Sequence, residues 1–233
     1  MSGICYVVAT PIGNLEDISY RAARILGEVD KIAAEDTRVS RILLNHLGIN
    51  TPMMSLNARS ESAKIPQLIQ YLKDGKNIAI ISDAGTPGIS DPGIRLVNAC
   101  AANDIDVVSI PGPSAVITAL AGAGLPTDKF WFEGFLPHKK GRQTRLKFLS
   151  ELPSTIVLYE SPYRVLKTLT QLLTWLGPKR KCVIGRELTK KFEEFRRGTI
   201  PEVLEYFSKN PIKGEFVIIL GPAKFVDKGE GVE

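Results

Sequence analysis

Short apolar runs alternate with amphipathic stretches through the first half of the chain. ICYVVA (Ile4–Ala9) reads as a strand, and Ile18, Ala22, Ile25, Leu26 and Val29 follow at helical spacing. KIAA (Lys31–Ala34) is a second strand, and Ile42, Leu43 and Leu47 mark a helix stopped by Gly48. Ile65, Leu68, Ile69 and Leu72 mark another, ended at Gly75. NIAII (Asn77–Ile81) and DVVSI (Asp106–Ile110) are further strands, with helices expected from about Pro92 and Pro113. In SDPG, Asp91 is the expected N-cap and Pro92 the first helical residue. Strand and helix in alternation predict an α/β fold with a mainly parallel sheet and helices on both faces.

The second half is patterned differently. FWFEGF (Phe130–Phe135), TIVLYE (Thr155–Glu160), KCVIG (Lys181–Gly185), FEEFRRG (Phe192–Gly198) and EFVIIL (Glu215–Leu220) read as strands. One helix is expected over Pro162–Leu176 with Ser161 as N-cap, and another opens at Thr199 with the capping-box partner Glu202. This predicts a mixed-sheet α+β domain. The turn-rich GAGLPTD (Gly122–Asp128) places the boundary, giving domains over 1–122 and 123–225 and a disordered polar tail over 226–233.

Charge sharpens this division. Residues 1–126 hold 10 Lys+Arg against 12 Asp+Glu, and residues 127–233 hold 20 against 13, so the net charges are −2 and +7. A basic second half points to an anionic partner, nucleic acid first. No apolar run is long enough to span a bilayer, and the N-terminal stretch lacks the pattern of a secretory signal. Three scattered cysteines and two isolated histidines have no metal-ligand spacing. A cytoplasmic protein with no metal and no membrane partner is expected. His46, in NHLG, is read as a favourable charge at a helix end.

Three strands run into loops of one character: TPIGN, SDAGTPGISDPG and PGPSA. At the carboxyl edge of a parallel sheet such loops bind ligands. They carry no lysine or arginine, and the chain has neither G-x-G-x-x-G nor a phosphate-loop motif, so a small organic molecule held by backbone suits them. Ser82–Gly85 is the better ligand candidate, because the second SDPG is explained by helix initiation. AEDTR (Ala34–Arg38) places two carboxylates and an arginine at another strand end, though Asp36 or Thr37 could simply cap the next helix. HKKGRQTRLK (His138–Lys147) has five basic residues and no acidic one beside aromatics, a pattern RNA surfaces use.

Taken in order, TPIGNLEDIS, AEDTR, SDAGTPGISDPG, PGPSA, FEGFLP, YESPYR, ELTKKFEE and GEFVIILG closely resemble the ribosomal RNA small-subunit methyltransferase I group of the tetrapyrrole (corrin/porphyrin) methylase superfamily. The resemblance spans about Tyr6 to Gly221. It implies two α/β domains with S-adenosylmethionine in the cleft between them, a homodimer, and 2′-O-methylation of a decoding-centre cytidine. The substrate would be small-subunit ribosomal RNA or the assembled subunit. Carried over by position, the cofactor meets Pro11, Ser82, Asp83, Ala84, Gly85, Ile89, Ser90, Gly112, Pro113, Ser114 and Ala115, and also Tyr159 and Glu160. Lys139, Lys140, Arg142, Arg145, Lys147, Arg164 and Lys190 form the expected RNA surface.

A ribose hydroxyl gains from a base, and no histidine suits. Glu35, Asp36, Glu187 and Lys190 are the candidates; the AEDTR segment is preferred, with Arg38 orienting a carboxylate or holding a phosphate. Two rivals stand: a tetrapyrrole C-methyltransferase on the same fold, and an RNA-binding protein without catalysis.

Overall fold

A computed structural model of the chain describes residues 2–223. It divides into two compact units, one ending at Ser114 and the other beginning at Ala115. The expected tail over 226–233 lies outside the described residues.

The first unit holds β1 (Cys5–Val8), α1 (Tyr20–Glu28), β2 (Lys31–Ala34), α2 (Thr37–His46), β3 (Met53–Ser55), α3 (Glu61–Lys73), β4 (Ile78–Ile81), α4 (Ile94–Ala101) and β5 (Val107–Ile110). The sheet is entirely parallel, in the order β3-β2-β4-β1-β5. Alternating strand residues feed two cores. Ile78 and Ile80 join α3 and α4 residues such as Leu68, Leu72 and Leu96 on one face. Ala79 and Ile81 join Ala22, Leu26 and Leu44 of α1 and α2 on the other. Side chains alternate across a strand, so burial on both faces makes its sequence apolar throughout. β3 has three residues and extends the sheet beyond what periodicity showed.

The second unit holds α5 (Ala115–Ala123), β6 (Phe130–Phe135), α6 (Arg142–Glu151), β7 (Thr155–Glu160), α7 (Val165–Leu176), β8 (Lys181–Arg186), β9 (Glu194–Thr199), α8 (Ile200–Lys209) and β10 (Phe216–Leu220). Its sheet runs β6-β7-β10-β8-β9, with β6 and β7 parallel and the other pairs antiparallel. Leu146, Leu149, Leu169, Leu172, Val203 and Phe207 of α6, α7 and α8 cover one face. The expected Thr199–Glu202 capping box opens α8.

Several elements differ from expectation beyond a residue at a strand end. β9 begins at Glu194 rather than Phe192. α6 occupies part of the basic run, where the charged composition hid the helical face formed by Leu146 and Leu149. α7 starts at Val165 rather than Pro162, because Ser161–Arg164 forms a turn in which Arg164 N–H and Val165 N–H donate to the Ser161 carbonyl. Among the described residues no helix is long and apolar enough to cross a membrane.

Candidate functional site

In the first unit the loops after β1, β4 and β5 are joined by short bonds. Thr10 and Gly85 exchange backbone hydrogen bonds of 2.9 and 3.0 Å, and the buried Thr10 hydroxyl donates to the Ser82 carbonyl at 3.2 Å. Thr86 Oγ1 donates to the Pro113 carbonyl at 3.3 Å. Gly85 has φ +78°, which any side chain would strain, whereas a Cβ there would meet only Ile12 Cγ2 at 3.4 Å and the Pro113 oxygen at 3.8 Å. The glycine is therefore required mainly by its backbone conformation, and a substitution strains the loop itself. Gly112 is a closer fit, because its Cβ would come within 3.0 Å of Ala9 Cβ. Pro11 and Ser82 are buried, whereas Asp83, Ala84, Ile89 and Ser90 are exposed at the surface of this edge. Ser90 holds φ 65° without being glycine, a strain typical of ligand loops. Ala115 is the first residue of α5, directly after Pro113 and Ser114.

The AEDTR segment belongs to the same edge. Asp36 N–H donates to Asp83 Oδ1 at 3.0 Å, and Asp83 N–H donates to Glu35 Oε2 at 3.4 Å. This reciprocal pair ties the loop after β2 to the loop after β4. The two acidic residues then diverge. Asp36 is the N-cap of α2, accepting from Arg38 N–H at 2.8 Å, and its carboxylate also takes Arg38 Nε and Nη2 at 3.0 and 2.6 Å. The hydrogen bonds from the Arg38 side chain hold the Asp36 carboxyl pKa down to about 2. Glu35 has no cationic partner among the described residues; burial pushes its carboxyl up against the Asp83 N–H bond, and the Asp83 and Asp36 charges push the same way.

Asp91 corrects the reading of the second SDPG. α4 begins at Ile94 behind Gly93 at φ +124°, and Asp91 does not cap it. The buried Glu61 of α3 does, its Oε1 accepting from Gly93, Arg95 and Leu96 N–H at 3.1, 3.1 and 3.2 Å. No local pattern marks Glu61, because its partners lie 32 to 35 residues away. Asp91 is left facing the Ser82 hydroxyl. Burial first, then the Glu35 and Asp83 charges, raise its carboxyl to about 6.

In the second unit the predicted cations separate into two groups. Arg142 is buried, donating to Thr168 Oγ1 at 2.7 Å, Gln171 Oε1 at 2.7 Å and the Pro137 carbonyl at 3.1 Å, so it does not belong to an RNA surface. Arg164 pairs with Glu160 at 2.7 Å and donates to the Leu136 carbonyl at 3.2 Å. Glu160, expected at the cofactor, has both oxygens committed: Oε1 to Arg164 and Ser161 N–H, and Oε2 to Thr168 Oγ1 at 2.6 Å. Tyr159 packs its ring against Phe132 and Phe135. Arg145 is bound by Glu133, and Lys190 lies between Glu187 and Glu215 at 3.0 and 2.9 Å. Lys139, Lys140 and Lys147 remain exposed, with no ion pair to a described residue. Among the described residues no group of three or more His, Cys, Asp or Glu side chains could hold a metal ion.

The geometry accords with the chain's relatives. The family model for tetrapyrrole (corrin/porphyrin) methylases matches residues 5–204. The ribosomal RNA small subunit methyltransferase I of Synechocystis sp. is 49% identical over 227 residues, covering 97% of this chain and 81% of the relative. The protein of that name from Thermotoga maritima is 47% identical, covering 94% of this chain and 98% of the relative. Among solved structures, the methyltransferase CobJ superposes with a TM-score of 0.72 at 18% identity, covering 98% of both chains. Uroporphyrin-III C-methyltransferase from Thermus thermophilus, complexed with S-adenosylhomocysteine, has a TM-score of 0.66 at 17% identity, covering 95% of this chain and 98% of that one. The last two likenesses establish the fold. The near-full-length identity of the first two, together with the family model over most of the chain, shows that this chain belongs to the ribosomal RNA small subunit methyltransferase I family, within the tetrapyrrole methylases.

Proposed function

We propose that this chain transfers a methyl group from S-adenosylmethionine to the ribose 2′-hydroxyl of a decoding-centre cytidine in small-subunit ribosomal RNA. It acts as a cytoplasmic homodimer on the RNA or the assembled subunit. The names of the relatives support the RNA substrate, and the product bound in the Thermus structure supports the cofactor.

The loops fit that cofactor. They are free of lysine and arginine, and they carry Asp83 and Asp91 where a sulfonium and an α-ammonium need negative charge. Backbone is open to close approach around Gly85 and Gly112, with Pro11, Ser82, Ala84, Ile89, Ser90, Pro113, Ser114 and Ala115 beside them. In the second unit the Glu160 carboxylate is a structural clamp. When bound, S-adenosylmethionine supplies an already activated methyl group, so alignment is the main demand on the protein.

Glu35 is the base. As the ribose oxygen takes the methyl group and a neutral thioether leaves, the hydroxyl proton passes to the Glu35 carboxylate. Burial makes Glu35 a stronger base than an ordinary carboxylate. Asp36, tied to Arg38 and to its own helix, is too weak a base and too well bonded to move a proton. The observation that supports this reading is the pair of bonds from Asp83 N–H to Glu35 Oε2 and from Asp36 N–H to Asp83 Oδ1, which ties the Glu35 carboxylate to the loop after β4.

Single-turnover methylation of small-subunit RNA, with the product mapped by mass, tests the reading. Glu35→Gln is expected to slow turnover about 10²–10⁴-fold with little change in cofactor affinity. Asp36→Asn, which still caps, is expected to keep most of the rate. Normal turnover in Glu35→Gln would remove it as the base, and a methyl group found on a base carbon or on a tetrapyrrole would overturn the substrate.

A further inference from the structure

The second sheet ends along one edge in three segments: LPHKK after β6, SPYR after β7 and ELTKKF after β8. Register puts them there. Phe135 pairs with Tyr159, and Phe216 pairs with both Glu160 and Arg186, so the carboxyl ends of β6, β7 and β8 are level. Each end carries one large aromatic ring in solvent. Phe135 is 55% exposed, Tyr163 95% and Phe192 68%. One exposed aromatic is unremarkable; three on one edge, one to each segment, form a pattern.

Two of these segments are braced by ion pairs and hydrogen bonds, one around the buried Glu160 and the other around the partly buried Glu187 and Lys190. Glu160 pins SPYR through Ser161 N–H, Arg164 and Thr168. Lys190 bridges Glu187 and Glu215, and Glu193 accepts from Thr189 N–H at 2.5 Å. Between those clamps Glu187 and Thr189 keep φ of 49° and 67°. Such strain in non-glycine residues persists only where the surroundings enforce it. These charges thus hold the segments, while Tyr163 and Phe192 stand in solvent and Phe135 leans on the Tyr159 ring with about half of its surface exposed. Exposed cations lie beside them: Lys139 and Lys140 follow Phe135, and Lys191 Nζ sits 5.7 Å from the centre of the Phe192 ring.

We propose that this edge is a stacking platform for single-stranded RNA. Phe135, Tyr163 and Phe192 take the faces of unpaired bases, and Lys139, Lys140 and Lys191 take the intervening phosphates. Adjacent strands lie about 4.8 Å apart, so β6 and β8, three steps apart in the sheet, are separated by roughly 14 Å, room for a few splayed nucleotides. A duplex keeps its base faces stacked inside and offers little to such a platform. The basic charge of this half and the alternation of rings with lysines favour RNA over a protein partner. The proposal rests on the RNA-substrate reading above and assigns the part of the chain that grips the strand.

The test uses the full chain and a short fluorescein-labelled single-stranded RNA oligonucleotide, beside a duplex of the same composition. Each of Phe135→Ala, Tyr163→Ala and Phe192→Ala is expected to weaken single-strand binding about tenfold with duplex binding unchanged, and the exposed Tyr163 and Phe192 should be replaced without change in cofactor affinity or melting temperature. Phe192→Trp should restore binding and Phe192→Leu should not, because a base face needs a ring rather than apolar bulk. The salt slope should stay put, since no phosphate contact is lost. Unchanged affinity in the triple variant, while the wild type still methylates RNA, overturns the platform and leaves the enzyme reading intact. A triple variant that changes oligomeric state instead makes this edge a contact between copies and also overturns the proposal. A wild type that neither binds nor methylates RNA overturns the enzyme reading itself.

Discussion

The carboxyl edges of the two sheets are built on the same plan and finished with opposite chemistry. In the first unit the loops are held by backbone pairs and small hydroxyls, as between Thr10 and Gly85 and between Thr86 and Pro113. Little side-chain charge is used to position them, and Glu35, Asp83 and Asp91 stay without a cationic clamp, their acidity weakened by burial. In the second unit the segments are held by ion pairs, Glu160 with Arg164 and Lys190 with two glutamates. Lysines and aromatic rings stand in solvent there, beside the exposed Glu193 and Glu215. The contrast separates two uses of charge. On the proposed reading, a small cationic ligand is met by carboxylates on a backbone frame, and a polyanion by lysines and rings on segments braced from behind.

The largest effect that can break this contrast is expected at Glu160. Glu160→Ala leaves Arg164 and Thr168 without their buried acceptor and should cost about 3–5 kcal/mol of stability in urea unfolding. If Glu160 served mainly the cofactor, the variant would keep its stability and lose S-adenosylmethionine affinity in calorimetry.

A smaller effect should sharpen it. Replacing the exposed Lys139, Lys140 and Lys147 by Ala is expected to flatten the salt dependence of single-stranded RNA binding by about 0.7 per lost phosphate contact, with stability unaltered. Arg142→Ala should do the reverse, destabilising the fold without a specific change in slope. Equal slopes for the triple lysine variant and the wild type would make that run an ordinary solvated surface.

The smallest expected effect concerns Asp91. Its folded carboxyl is raised to about 6 from 3.8, so the proton is held more tightly in the folded state. The associated stability is fully present below about pH 4 and is lost as pH rises through about 6. Asp91→Asn removes that loss, so its melting temperature relative to wild type should climb between about pH 4 and pH 6 and then level off. A difference that stayed flat with pH would mean that the first edge does not hold Asp91 in this weakened state.

Much of the scaffold follows from the sequence alone. The central strand β4 is apolar throughout because both faces of a parallel sheet are covered, β1 and β2 are nearly so, and the Gly- and Pro-rich runs after β1, β4 and β5 read as loops. The capping box of α8 is equally local, with its partners three residues apart. Placing the ligand loops at strand ends needs nothing more. The fate of individual charges was decided by tertiary structure. Arg142 and Arg145 look alike in the text, yet Arg142 is buried on Thr168 and Gln171, and Arg145 is claimed by Glu133. Asp36 and Glu35 are neighbours, yet one is clamped and the other is not. Asp91 yields the cap of α4 to Glu61, from another helix. The physical reason is range. Periodicity and turn chemistry act over a few residues and can be read along the chain, whereas a charged side chain answers to partners that only folding brings within about 3 Å.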